Sequence, residues 1–314
     1  ELLEGLPAGV QLFSLFNAHP GLFDLVAEIM GAAPRLAGWL SRHPILLDGV
    51  LSRDFFDFVP GRHDMAAELA EATGQARDFQ DFLDIQRRWA NDGIFQVGAH
   101  MLRGRLEPVD ASGPLSDIAD TCLTSLLPEI KREFADTHGH VPGGEMAVIA
   151  FGKLGSREMM PGSDLDLLFV YDSPPNTEQS DGRRPLPPGQ YYSRLCQRFI
   201  GAITAPTAEG RLYEVDMRLR PAGNAGPIAS SLEAFTRYQK TDAWTWEHQA
   251  LTRARVVCAE GDLGENLEAA VRSVLTARRD ASDLASDVAE MRERIRGEHG
   301  VDDIWSVKHI PGGI

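Results

Sequence analysis

Asp164 and Asp166 are the residues of this chain whose type and spacing most directly imply chemistry. They open an apolar run, Leu165-Asp166-Leu167-Leu168-Phe169, that reads as a strand, and strand side chains alternate faces with a period of two. The two carboxylates therefore share one face, while Leu165, Leu167 and Phe169 take the other. Like charges this close resist ionising together unless a cation lies between them. With only oxygen ligands on offer, Mg²⁺ is the natural cation, because it keeps room for waters and phosphates. Tyr213-Glu214-Val215-Asp216-Met217-Arg218-Leu219-Arg220 repeats the device. Its apolar residues share one face, and Glu214, Asp216, Arg218 and Arg220 the other, a row that is costly to bury without charged partners. If the two stretches are neighbours, Asp216 completes a triad of metal carboxylates, with Arg218 and Arg220 bordering it as anion-binding groups. The plainer alternative is a solvated strand end, with Arg218 paired to Glu214 or Asp216.

The elements that must position these residues follow from periodicity. Residues 1 to about 137 read as successive helices. Leu12, Leu15 and Phe16, then Leu22, Leu25, Val26 and Ile29, recur at helical spacings, and Pro20, Pro34, Pro44 and Pro60 mark helix starts and breaks. One long amphipathic helix is predicted over 79–103 and another from a Ser116 cap to Phe134. This helical part shows no cluster of chemically useful groups and reads as scaffold. After the 138–144 loop, apolar runs at 146–151 and 165–171 predict buried strands, separated by a Gly152-Lys153 turn. Residues 173–189, rich in proline and polar groups, read as a mobile surface loop. A helix is predicted over 191–203, a third strand over 211–219, and renewed helix from a Ser230/Glu233 capping box. Trp244, Trp246 and His248 fall on that later helical stretch, where such spacing more often means core than substrate contact. Strands set between helices give a mixed α/β core inside a mostly helical protein.

Gly152, then ten residues between Lys153 and Asp164-Leu165-Asp166, resemble the signature of the DNA polymerase beta-like nucleotidyltransferase superfamily. More narrowly, the chain resembles the glutamine synthetase adenylyltransferase family, bifunctional enzymes with two such heads. The phrases that carry the likeness are Gly152-Lys153-Leu154-Gly155, Gly162-Ser163-Asp164-Leu165-Asp166-Leu167, the 212–221 stretch ending Arg220-Pro221, and the 238–251 stretch containing Trp244-Thr245-Trp246-Glu247-His248. The last is closer to the C-terminal, adenylylating head than to the adenylyl-removing one. Lys153 departs from the superfamily's usual Gly or Ser but is the residue expected in the narrower family.

The resemblance implies an α+β fold: a polymerase beta-like nucleotidyltransferase core, a small mixed sheet with helices, flanked by helical regions. Its expected division is a helical linker over 1–115, the nucleotidyltransferase domain over 116–257, and the start of a C-terminal helical region over 258–314. It implies transfer of AMP from ATP to a tyrosine of glutamine synthetase, releasing pyrophosphate, in the service of nitrogen metabolism. Asp164, Asp166 and Asp216 would be the catalytic and metal residues, with Mg²⁺ or Mn²⁺ in a two-metal site. Gly152 would permit close backbone approach, a helix starting after Lys153 would aim N–H groups at the triphosphate, and Lys153 and Ser163 would contact phosphate. Each has a plainer role as turn glycine, solvated side chain or loop hydrogen-bonder. Glutamine synthetase and the PII signal protein are the implied partners. The competing readings are the adenylyl-removing head and an inactive regulatory module.

Composition narrows the field. The 314 residues include 31 Lys+Arg against 46 Asp+Glu, a net charge of −15. That disfavours a protein whose main task is to grip a nucleic-acid backbone, and no apolar run approaches the ~20 residues of a membrane span. Cys122, Cys196 and Cys258 lie far apart among apolar neighbours, so free thiols in a reducing cytoplasm are expected. No secretory signal opens the chain, and its start at Glu1 and close at Gly313-Ile314 read as those of a piece of a longer protein.

Overall fold

The computed structural model describes residues 16–299, apart from 44–45, 52, 57–59, 222 and 224–225. Leu12, Leu15, Pro44 and the closing residues 311–314 lie outside the described residues. The first helices are α1 (Pro20–Ala32), α2 (Pro34–Arg42) and α3 (Leu46–Leu51), the first two with proline in the opening turn, where its missing N–H costs nothing. Leu22, Leu25, Val26 and Ile29 of α1 gather with Trp39, Leu40, Leu47 and Val50 into a small core closed by Phe95. Next come α4 (Arg62–Thr73), α5 (Phe79–Leu102) and α6 (Pro108–His138). Asp78 caps α5 by accepting the Asp81 N–H at 2.8 Å.

Helix α6 begins at Pro108, so Ser116 is not its cap but an interior residue whose hydroxyl donates to the Ser112 carbonyl at 2.7 Å. Ala111 and Leu115 already lie on the buried face, and their packing carries the helix upstream of the serine in spite of Pro114.

The sheet comprises β1 (Glu145–Ala150), β2 (Leu165–Asp172), β3 (Val215–Asp216), β4 (Ala229–Ser231) and β5 (Arg255–Ala259). β1 pairs antiparallel with β2 and β5, while β3 and β4 share the far edge of β2, both parallel to it. One sheet face, with Met146, Val148, Leu165, Leu167 and Phe169, joins the core of α4, α5, α6 and α8 (Pro188–Thr204). The other, with Ala147, Ile149, Leu168 and Val170, packs on α9 (Leu232–Thr241), α10 (Thr245–Leu251) and α11 (Leu263–Leu275). Cover on both faces explains why β1 reads as an unbroken apolar run. A final helix, α12 (Ala281–His299), follows. This small mixed sheet between helices is the α+β core that the resemblance implied.

Several expectations need correction. The third strand is not 211–219 but two residues, because the chain turns after Asp216: the Arg220 N–H reaches the Met217 carbonyl at 3.3 Å, and β4 takes over the β2 edge. The cap of α9 is Ser231, which accepts the Ala234 N–H at 3.2 Å, whereas Ser230 is a buried strand residue. The 173–189 stretch is pinned rather than free. Asp181, Gly182 and Arg184 donate backbone N–H groups to His140, His138 and Thr137, and Ser180 and Leu186 are buried. Trp244 and Trp246 are exposed, at 66% and 36%, not core. Cys122 and Cys196 are buried and Cys258 half-buried, all three free, and burial raises each thiol, that of Cys258 to about 12. Among the described residues no helix is long and apolar enough to cross a membrane.

Candidate functional site

The parallel register of β2 and β3 sets Asp166 against Asp216, one residue after Leu165 against Val215. Registered residues of a parallel pair project from the same face, so the two carboxylates stand side by side on the face opposite the Leu165–Leu167–Phe169 core. The Leu165 N–H donates to the Glu214 carbonyl at 2.9 Å and locks that register. Asp164, two residues before Asp166, is exposed at the mouth of the strand.

Opposite them stands the turn after β1. Phe151 donates its N–H to the Asp166 carbonyl at 2.9 Å, and Gly152 follows with φ +53°. A β-carbon on Gly152 would lie 2.1 Å from Asp166 Oδ2, so only glycine satisfies both the left-handed backbone and the close approach. α7 (Gly152–Gly155) is a single turn that starts at Gly152, ahead of Lys153 rather than after it. Lys153 is exposed. Ser163 closes a turn, its hydroxyl accepting the Met160 N–H at 3.0 Å, which is the loop role foreseen for it as the plainer alternative.

Arg218 grips Asp216. Its Nε donates to Oδ2 at 2.7 Å and its backbone N–H to Oδ1 at 2.8 Å, and the guanidinium holds the Asp216 carboxyl below the usual carboxylate range. Asp216 foremost, with Asp166 and Asp164 adding to it, makes Arg218 hold its proton more tightly. This guanidinium thus senses all three carboxylates. Arg220 faces inward to the Met217 and Gly226 carbonyls and shapes the loop after β3.

As the side chains stand, no three Asp, Glu, His or Cys groups among the described residues gather tightly enough to hold a metal ion. Asp216 is engaged by Arg218 instead. The donor set nevertheless fits a divalent cation in kind. It consists of carboxylate oxygens only, Asp166 and Asp216 on one sheet face with Asp164 just ahead of β2, and the missing β-carbon of Gly152 leaves room beside Asp166. The paired strands and the glycine turn thus come together, while Lys153 is exposed, Ser163 holds its own turn and Arg220 donates to the Met217 and Gly226 carbonyls.

The helical part holds a group that periodicity did not reveal. Asp120 of α6 is fully buried and takes Arg255 in a two-pronged pair, at 2.8 and 2.9 Å. Its signal was an acid on the same helix stripe as Leu123 and Leu127, at spacings of three and four.

A small mixed sheet flanked by helices is consistent with the polymerase beta-like nucleotidyltransferase core that the resemblance implies. The family described as glutamate-ammonia ligase adenylyltransferase matches residues 23–270. The chain is also similar to proteins named bifunctional glutamine synthetase adenylyltransferase/adenylyl-removing enzyme. That of Mesorhizobium japonicum is 45% identical over 314 residues, 100% of this chain and 32% of the relative. That of Brucella suis biovar 1 is 47% identical over 312 residues, 99% of this chain and 32% of the relative. The Rhodopseudomonas palustris protein (strain ATCC BAA-98 / CGA009) is 44% identical over 313 residues, 100% of this chain and 32% of the relative. The chain belongs to the glutamate-ammonia ligase adenylyltransferase family and spans about a third of the length of the curated relatives it matches.

Proposed function

We propose that this chain is an adenylyltransferase head that moves AMP from ATP to a tyrosine hydroxyl of glutamine synthetase and releases pyrophosphate. The observation that carries it is the Asp166–Asp216 register beside Gly152. Asp164, Asp166 and Asp216 would hold the divalent ions, Mg²⁺ or Mn²⁺. When bound, such ions neutralise phosphate charge and help an attacking hydroxyl lose its proton. That help matters because a tyrosine of pKa ~10 is a weak nucleophile at neutral pH. Gly152 lets backbone approach the phosphates, Lys153 supplies a solvated positive charge, and Ser163 holds the turn that delivers Asp164. Arg218, released from Asp216 when cations enter, would turn to the phosphate oxygens, with Arg220 keeping its loop in shape. The Trp244-Thr245-Trp246-Glu247-His248 phrase favours the transferring over the removing head. A cytoplasmic setting and regulation through PII signal protein accompany the same reading.

The test is to incubate the chain with glutamine synthetase, α-labelled ATP and Mg²⁺ or Mn²⁺. Label on the synthetase, lost with Asp166→Asn, is expected. No label with either metal, or equal label with the variant, overturns the proposal. Release of ADP from adenylylated synthetase on addition of phosphate, the phosphate taking the adenylyl group and the tyrosine hydroxyl regaining its proton, would identify the removing head instead.

A further inference from the structure

The turn that presents Gly152 to Asp166 is clamped from behind by a charged cluster rooted in the helical part. Arg255 of β5 donates Nη2 to the Leu154 carbonyl at 2.8 Å and Nε to the Gly155 carbonyl at 3.2 Å. Both carbonyls belong to the last residues of α7, where a one-turn helix has few donors for its acceptors, although Leu154 also accepts the Arg157 N–H at 3.2 Å. The same guanidinium is fixed by Asp120, which accepts from both of its Nη atoms. A second arginine secures the far end of the turn. Arg157 has φ +60°, the left-handed value among non-glycine residues described here, and such a backbone is unfavourable for a side-chain-bearing residue. Its guanidinium reaches Asp117 at 3.0 and 3.1 Å and Asp120 at 3.5 Å. Gly155 lies so close to the chain before β5 that a β-carbon would meet the Arg253 carbonyl at 1.9 Å. Arg62, the first residue of α4, stands 3.8 Å from Asp120 as well.

A fully buried carboxylate facing three guanidinium groups is an expensive way to fill a core position, and replacing such a cluster with apolar side chains is often neutral or stabilising. What the apolar version cannot do is offer directed donors to the Leu154 and Gly155 carbonyls while gripping Arg157. We infer that Asp120, Arg255 and Arg157 are positioning residues that hold the 152–158 turn in register with the Asp166 carboxylate, acting on the nucleotide end of the site through Gly152. The inference rests on the proposed adenylyl transfer for its catalytic consequence, but the mechanical part stands on geometry alone.

Three variants of the 314-residue chain separate the two. Arg255→Lys keeps the charge and loses the fork. Arg157→Gly loses the tether, and the left-handed backbone costs glycine little, so folding is retained. Asp120→Asn keeps an acceptor and loses the charge. Amide hydrogen exchange is compared with wild type across the whole chain, alongside the ATP dependence of AMP transfer. In Arg255→Lys and Arg157→Gly, amides of 152–158 should exchange on the order of tenfold faster while α8 and the β1–β2 pair stay protected. The KM for ATP should rise on the order of tenfold, with a smaller change in kcat. Unchanged exchange at 152–158 in both folded variants overturns the inference, as does exchange that rises evenly over the molecule. If wild type transfers no AMP, the proposed function fails, and the exchange map still decides the positioning role. Should Asp120→Asn not fold, the two arginine variants carry the test.

Discussion

At Gly152 one missing methyl group decides two things at once, the direction of the chain and the place of a carboxylate. The backbone there has φ +53°, and an added β-carbon would sit 2.1 Å from Asp166 Oδ2 and 3.0 Å from its Cγ. Gly152→Ala must therefore pay for a left-handed alanine and turn the Asp166 side chain aside. A loss of about 1–2 kcal/mol is expected from the backbone alone, read from urea unfolding. If the proposed transfer is right, activity should fall further, on the order of a hundredfold, since the displaced group would be a metal ligand. An alanine variant of wild-type stability would show that the close approach is not real. The side of the sheet that Asp166 takes was legible, because a period of two needs no tertiary knowledge, whereas Asp164 lies just ahead of β2. Arg218 was not assignable: whether it meets phosphate or a neighbouring acid depends on where the chain turns, and the turn after Asp216 brings its own N–H and side chain back onto that carboxylate.

Among the elements, long periodic segments were legible and short ones were not. α5 and β2 end within a residue of their expected limits, since each has enough apolar positions to fix its own phase. β3 failed that test: eight alternating residues yielded two of strand, because β4 occupies the rest of the β2 edge. The docking of α2 on α5 lay beyond sequence altogether. There Trp39 donates its Nε1–H to Asp92 Oδ1 at 3.0 Å. Burial raises the Asp92 carboxyl above its ordinary value of 3.8, Glu209 adding to the rise, while the Trp39 bond, His43 and Arg88 oppose it. The folded state thus binds a proton here more readily than the unfolded chain does. This contribution to stability is full below the ordinary value and declines as pH climbs through it to the raised one. Asp92→Asn keeps an acceptor for Trp39 and removes the titration. Its stability relative to wild type should therefore grow more favourable as pH rises from 3.5 to 7, measured by urea unfolding at each step. Parallel curves for the two proteins would sink this account.

Across the whole molecule, one apolar cluster runs from Met65 of α4 through α5, α6, both central strands and α8 to Val257 of β5. The sequence division proposed at residue 116 therefore falls inside α6, within a shared core. Composition could not show this, since both parts have ordinary apolar content and the joint includes a buried cation whose partners are distant in sequence. Arg87 of α5 is fully buried and donates to the Leu83, Ala202 and Ala205 carbonyls at 3.0, 2.6 and 2.9 Å. Ala202 and Ala205 belong to the C-terminal end of α8, where free carbonyls and the helix dipole favour a cation. Burial lowers the guanidinium's hold on its proton, so the carbonyls must offset a desolvation cost. Arg87→Met fills much of the volume but leaves the α8 carbonyls without their donor. A cost of about 2–4 kcal/mol is expected, less than the sum of broken bonds because a buried charge is removed with them. If the core is shared, wild type and variant each unfold in one step, with far-ultraviolet circular dichroism and tryptophan fluorescence changing at the same urea concentration. A variant in which the tryptophans of the helical part melt first, while the sheet persists, would show that α4–α6 and the sheet are separable units that Arg87 merely joins.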